Sequence, residues 1–222
     1  MRRSSFILGA ALFSLLVFSQ TGTQAGHQTF AERFASDTKI GDSGIYNFDK
    51  AHSFIGFKVK HNGLIEVPGF FRDFTGAVNF DARDITKSTV EFTAKATSVD
   101  TGVAARDNHL RTKDFFEVEA NPDLTFKSTK VEKKGDNWIL SGDLTIRGVT
   151  KPISFPFQIA GWLPADERSG GRMGITAETT INRRDFGVNY GTNAALSDQV
   201  KVVLQIEAAK RREAPAAPKP AS

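Results

Sequence analysis

The chain has 222 residues, 29 Lys plus Arg against 25 Asp plus Glu, and no cysteine. The absence of cysteine excludes disulfides and thiolate metal centres, so a fold of this chain rests on its core. Setting aside Arg2, Arg3 and the ends of the chain at 210–222 (four bases, one acid) leaves 23 bases and 24 acids. The body is therefore near neutral and lacks the basic field that nucleic-acid binding requires.

Residues 1–25 read as a secretory signal peptide. Arg2 and Arg3 precede the apolar run FILGAALFSLLVF (6–18), and Thr23-Gln24-Ala25 offers a small-x-small cleavage signal. The apolar run is shorter than the roughly 20 residues of a spanning helix. The expectation is export, and in a bacterium a periplasmic location, with cleavage near Ala25. Residues 26–44 form a polar lead in which TFAERFAS could turn helical with Phe30 and Phe34 on one face. The basic Ala/Pro-rich stretch 210–222 reads as a disordered tail.

Between lead and tail, apolar residues alternate with polar ones at period two. IYNFD (45–49) opens the series. In SFIGFKVKH (53–61), Ile55, Phe57, Val59 and His61 share a face, and in FFRDFTGAVNF (70–80), Phe70, Phe74, Val78 and Phe80 do. STVEFTAKATSV (88–99) aligns Val90, Phe92, Ala94 and Ala96. LTFKSTKVE (124–132) is shorter and weaker. NWILSGDLTIRG (137–148) aligns Trp138, Leu140, Leu144 and Ile146. PISFPFQIAG (152–161) aligns Ile153, Phe155, Phe157 and Ile159, with Pro156 pushing that strand toward an edge or a bulge. RMGITAETTIN (172–182) and QVKVVLQIEA (199–208) complete the set, the latter with Val200, Val202, Leu204 and Ile206 on one face. Residues 81–88 and 101–116 break the alternation and read as short helices or loops.

Eight or nine strands with one apolar face each predict a single all-β, antiparallel domain over 45–209. Closure into an up-and-down barrel removes both edges, and a sandwich is the alternative. An eight-stranded barrel has room for packed side chains or one small ligand. Nineteen Phe against two Trp and two Tyr point to a greasy core or an apolar cavity.

The chemistry-bearing motifs of hydrolases, nucleotide binders and zinc proteases are missing. A three-His metal site is rejected. His27 falls in the lead, and His52 and His61 are an odd number of residues apart, which places them on opposite faces of a continuous strand. His61 and Arg72 share faces with apolar residues and need partners there. They serve either a structural cluster at a barrel mouth or a ligand head group. The charged stretch RDNHLRTKDFF (106–116) has a catalytic reading, with His109 as a general base oriented by Asp107. The two stand only two residues apart, which suits a local turn better. The favoured reading is a short helix that lays Leu110, Phe115 and Phe116 over the barrel end.

Six segments in order, YNFDKAHSFIGFKVKH (46–61), VPGFFRDFTG (67–76), RDNHLRTKDFFEVEANPDLTF (106–126), SGDLTIRGVTKPISF (141–155), INRRDFGV (181–188) and SDQVKVVLQIEA (197–208), resemble the YceI-like family of exported bacterial lipid-binding proteins. The resemblance spans 45–208. It implies a lipocalin-like, eight-stranded antiparallel barrel with short helices in its connections. It implies an apolar tunnel holding a polyisoprenoid or another long-chain amphiphile, such as an isoprenoid quinone or a fatty amide, with no cofactor and no enzymatic activity. Its recurring positions here are His61, Arg106, Asp107, His109, Asn182, Arg183 and Phe186. The chain departs from the family picture in Arg184, in the long lead and in the basic tail.

The lining expected for a lipid is Phe57, Val59, Phe92, Ala94, Phe126, Leu140, Leu144, Phe155, Phe157, Val202 and Leu204, with room left by Ala94, Ala96 and Gly142. The expected polar anchors are His61, Arg72, Arg106, His109, Asn182 and Arg183. Two other readings stay open: an enzyme acting on a lipid through His61 and His109, and a solid-core protein docking on a membrane cytochrome. Transient contact with the inner membrane and a homodimer are further partner readings.

Overall fold

The computed structural model describes residues 41–166 and 170–210. The expected signal peptide, most of the lead with its TFAERFAS segment, and the tail beyond Lys210 lie outside the described residues. The strands are β1 (Gly44–Phe48), β2 (Phe54–His61), β3 (Ile65–Phe71), β4 (Phe74–Phe80), β5 (Thr89–Lys95), β6 (Val99–Asp100), β7 (Asp123–Lys134), β8 (Asn137–Ile146), β9 (Val149–Leu163), β10 (Arg172–Asn182) and β11 (Leu196–Lys210), with one helix, α1 (Ala104–Arg111).

All pairings are antiparallel, in the order β1-β4-β5-β7-β8-β9-β10-β11, and β1 returns to β11 to close the ring. β2, β3 and β6 continue β1, β4 and β5 past short interruptions. β2 pairs with the first half of β11, β3 with β2, and β6 with β3. The result is an eight-stranded closed barrel in which three staves are broken once. The β1–β11 pairing closes the ring, with unpaired stretches along β3 before Phe70 and along β9 before Phe157.

Each break has a local cause. Between β1 and β2, Asp49 caps a one-turn 3-10 helix over Lys50–His52 by accepting from the Ala51 N–H. Between β3 and β4, the Arg72 N–H reaches the Ser98 carbonyl and the Asp73 carbonyl accepts from Lys95. This break changes the phase of the alternation. Phe71 is buried inside and Phe70 faces out, whereas Phe74 on the next segment is inside again. The expected inward row of Phe70 and Arg72 is therefore corrected. The guanidinium of Arg72 lies 4.6 Å from the outer ring of Phe70 and its Nε bonds Asp100 at 2.8 Å.

β3 itself is a strand the alternation reading passed over. The turn before it holds Asn62 and Gly63, both at positive φ, with the Leu64 N–H on the His61 carbonyl. That is the geometry for which Asn-Gly hairpins are selected. A second pair at positive φ, Arg147 and Gly148, joins β8 to β9. β7 is longer than expected, and a register shift between Ser128 and Lys130 moves its inward row from Leu124 and Phe126 to Val131. Pro156 is tolerated because β9 pairs with β10 only from Phe157 onward, so the missing N–H interrupts no ladder bond there.

Phenylalanine fills the interior in register. Phe92 on β5, Phe126 on β7 and Phe155 on β9 stand in a row that passes over β8, each ring centroid 5.7 Å from the next. Gly142 makes room for that row. A Cβ there would come within 2.5 Å of the Phe126 ring and of the Lys127 carbonyl. The space expected to serve a ligand at Gly142 is thus occupied by Phe126. Ala96 likewise opens no room. It starts a 3-10 turn over Ala96–Ser98, donates its N–H to the Pro122 carbonyl and is fully buried.

α1 and the segment after it lie over one end of the barrel, as expected. Phe115 is buried, and Leu110 and Phe116 pack on the core, the latter with its ring 5.5 Å from Phe71. The charges of this stretch are tied locally. Asp107 accepts from the N–H and hydroxyl of Thr101, and Arg111 donates to the carbonyls of Thr97 and Val99.

Candidate ligand-binding site

Two adjoining cavities run through the barrel. The larger holds about 280 Å³ and the smaller about 60 Å³. They share Ile55 of β2 and Phe92 of β5, which form the septum between them. The interior is therefore not solid. The larger void exceeds the ~150 Å³ of an engineered apolar cavity that takes up benzene.

Phe57, Val59, Ala94, Leu144 and Val202 wall the larger cavity, Phe126, Leu140, Phe155, Phe157 and Leu204 wall the smaller, and Phe92 walls both. The smaller cavity is bounded by buried or half-buried residues, with the Ser88 side chain the one polar group among them. The larger one reaches solvent at the end where β2 turns into β3. There its wall includes the exposed residues His61, Pro68 and Arg106. The walls are otherwise almost wholly hydrocarbon and aromatic, an environment that favours an apolar guest and penalises an unpaired polar one.

The six expected polar anchors divide sharply. His61, Arg106 and Arg183 belong to the wall of the larger cavity; Arg72, His109 and Asn182 do not. Arg106 donates from Nε to the Thr101 hydroxyl at 2.7 Å and from Nη2 to the Thr101 carbonyl at 2.9 Å. Its Nη1 has no partner among the described residues, so one donor edge remains at the mouth.

Arg183 is 5% exposed and spends its guanidinium on the fold. It donates to the carbonyls of Ser197, Val188, Tyr190 and Leu196 and to Asp198, five bonds between 2.7 and 3.1 Å. Burial, then the neighbouring charge of Arg184, lowers its pKa, while Asp198 opposes the shift. It stays charged at any working pH. With all five donors used, Arg183 is a staple for the loop 188–198 and offers nothing to a ligand head group. Arg184, which sequence reasoning noted only as a departure, completes the clamp with bonds to Asp198, Asn189 and Gly191. Asn182 caps the 3-10 turn Arg183–Phe186 by accepting from the Arg184 N–H.

His109 bonds Asp114 through Nε2 at 2.9 Å, and its ring stands edge-on to Phe115 and Tyr190 at 5.1 and 4.8 Å. Its partner is Asp114 and not Asp107, which is turned to Thr101. The arrangement pins α1 to the neighbouring loop, while His61 stands alone of the two histidines in the cavity wall.

Among the described residues, Asp49, His52 and Glu207 are the one grouping whose potential metal-ligand atoms lie within 4.8 Å of one another. Its donors are already engaged. His52 Nδ1 is 2.8 Å from Asp49 Oδ2, and Arg172 bonds Glu207 at 2.9 Å. The grouping is an ion-pair network beside β1 and β11, away from both cavities.

With this geometry in hand, the comparisons are specific. The model of the YceI-like domain matches residues 46–208. A UPF0312 protein of Pseudomonas aeruginosa is 37% identical over 180 residues, which are 81% of this chain and 90% of that protein. The crystal structure of the Campylobacter jejuni YCEI protein superposes with a TM-score of 0.63 at 33% identity, over 74% of this chain and 96% of that one. A polyisoprenoid binding domain from Saccharophagus degradans shares the fold with a TM-score of 0.57 at 17% identity, covering 74% of this chain and 98% of that one. Together, the matching domain model and these relatives show that the chain belongs to the YceI-like family.

Proposed function

We propose that the protein is an exported, periplasmic binding protein that holds a long-chain isoprenoid or another amphiphilic lipid in its barrel and performs no chemistry on it. The tail enters the larger cavity and the head group stays at the mouth beside His61 and the open edge of Arg106. One observation carries the reading: an apolar cavity of about 280 Å³ meets solvent where its two available polar side chains stand. Each buried CH2 of a guest contributes about 0.8 kcal/mol before ordering costs, so affinity accrues along the tail with little demand on the head. The Saccharophagus degradans domain with this fold is described as polyisoprenoid binding, which supports the same class of guest here.

The test is native mass spectrometry of protein isolated from a cell-envelope extract, with lipid extraction and fragmentation in parallel. A stoichiometric adduct with a repeating isoprenoid or acyl pattern is the expected result. Protein that stays free of adduct, and also fails to take up geranylgeraniol from detergent, would overturn the reading.

A further inference from the structure

Seven large hydrophobic residues are exposed among the described residues, and four of them gather at one end of the barrel. Leu64 (78% exposed) and Ile65 (64%) form the tip of the β2–β3 hairpin, Val103 (47%) precedes α1, and Tyr190 (48%) sits on the loop before β11. Scattered apolar residues on a surface mean little, but a cluster at a cavity mouth does. The segments that carry them, 60–65, 101–106 and 187–196, also contribute His61, Thr101, Arg106, Val188 and Leu196 to the wall of the larger cavity. Two of them are tied together at the rim, where the Asn62 N–H donates to the Ala195 carbonyl at 2.9 Å, and the third is braced internally by Arg106 on Thr101.

The charge of these three segments is equally one-sided. They hold Lys60 and Arg106 and no Asp or Glu, in a chain with 25 acidic residues. The acids that flank them are engaged elsewhere: Glu66, opposite Lys60, lies 3.6 Å from Lys201, Asp100 bonds Arg72 at 2.8 Å, and the buried Asp107 is turned to Thr101. The rim thus presents protruding aliphatic tips, a tyrosine with an apolar body and polar end, and two cations, Lys60 and Arg106, that form no direct ion pair among the described residues. That combination fits the interface of a bilayer containing anionic lipid, where apolar tips sink among the acyl chains and cations meet phosphates.

We propose that the mouth-end rim, with Leu64, Ile65, Val103 and Tyr190 inserted and Lys60 and Arg106 flanking, docks the barrel on an anionic lipid bilayer. The docked barrel sets the mouth of the larger cavity against the membrane, so an apolar tail passes between them without crossing water. The inference rests on the lipid-binding reading for its purpose, but its surface is tested separately.

The experiment is flotation of the chain from residue 26 onward, without the apolar run 6–18, with vesicles of phosphatidylcholine alone and of phosphatidylcholine with phosphatidylglycerol. The parent is expected to float with the mixed vesicles and much less with the neutral ones, and added salt weakens it. L64D/I65D is expected to lose at least about tenfold in partitioning, and Leu163→Asp at the opposite end is expected to float like the parent. Val103→Asp, whose side chain is solvent-exposed in a different segment, gives a second reading if the hairpin variant misfolds. Parent protein that stays off mixed vesicles, or rim variants that float like it, would overturn the docking surface. Equal flotation on neutral vesicles would overturn the role of Lys60 and Arg106. Uptake of geranylgeraniol from detergent is measured alongside. Uptake retained by L64D/I65D separates docking from holding, and flotation without any uptake would sink the holding reading while leaving the docking surface standing.

Discussion

Ala94→Leu should move stability and lipid uptake in opposite directions. Ala94 lies on β5, opposite Phe74 on one neighbouring strand and Leu124 on the other, and its side chain is buried against the larger cavity. Leucine adds three carbons to that void. At about 0.8 kcal/mol per CH2 they are worth up to about 2.4 kcal/mol, less about 0.5–1 kcal/mol for fixing the leucine rotamer. The delipidated variant should therefore gain about 1.5 kcal/mol, which raises Tm by roughly 3–6 °C in a domain of this size. The same carbons occupy space a guest needs, so geranylgeraniol uptake should fall about tenfold or more. Ala96→Leu is the internal contrast. Ala96 borders neither cavity, and enlarging it overpacks a closed core at a cost of about 1–3 kcal/mol with the cavity intact. The assay is urea or thermal unfolding of delipidated protein with native mass spectrometry for uptake. An Ala94→Leu protein that is destabilised by more than 1 kcal/mol and still binds lipid would show that Ala94 does not face the void.

Arg183→Ala removes the partner of four buried or half-buried backbone carbonyls and of Asp198; it should cost about 3 kcal/mol or more in denaturant unfolding, and Arg183→Lys should recover little, since an ammonium cannot span the same acceptors. Gly142→Ala forces a Cβ to within 2.5 Å of the Lys127 carbonyl and the Phe126 ring, so a loss of about 1–3 kcal/mol is expected by the same assay. The Asp49 hydrogen bond, helped by the charges of Asp49 and Glu207, raises the pKa of His52 above its ordinary 6.5, and His52 in turn lowers Asp49 below its ordinary 3.8. The pair's small contribution to stability is therefore whole between those ordinary values, fades as pH rises through the raised His52 pKa, and fades again as pH falls through the lowered Asp49 pKa. NMR titration should show the His52 pKa dropping in Asp49→Asn; an unmoved His52 would mean the bond is not formed in solution.

How much of this was legible in the sequence depended on whether a feature was carried by period or by phase. The period-two rows of β2, β5, β7, β8, β9 and β11 pointed to a closed antiparallel sheet, with a sandwich as the alternative, and to the side chains that face its interior, because an inward side chain in a closed sheet meets only the interior. All eleven expected lining residues accordingly wall one cavity or the other. Phase was lost wherever the backbone interrupted the count. The break at Arg72 and Asp73 puts Phe70 and Arg72 outside, and β3 is marked in the sequence by the Asn62-Gly63 turn and not by alternation. The polar anchors were the least legible for a different reason. A sequence shows which residues can donate hydrogen bonds but not how many of their donors the fold consumes. Arg183, with every N–H engaged, and Arg106, with one edge open, are the same residue type. Their difference comes from backbone carbonyls 5–14 positions away from Arg183, and from the Asp198 carboxylate, that no local pattern brings to it. A head-group contact in this barrel is therefore to be sought at the residues whose donors remain unspent, His61 and Arg106, and not at the most buried cation.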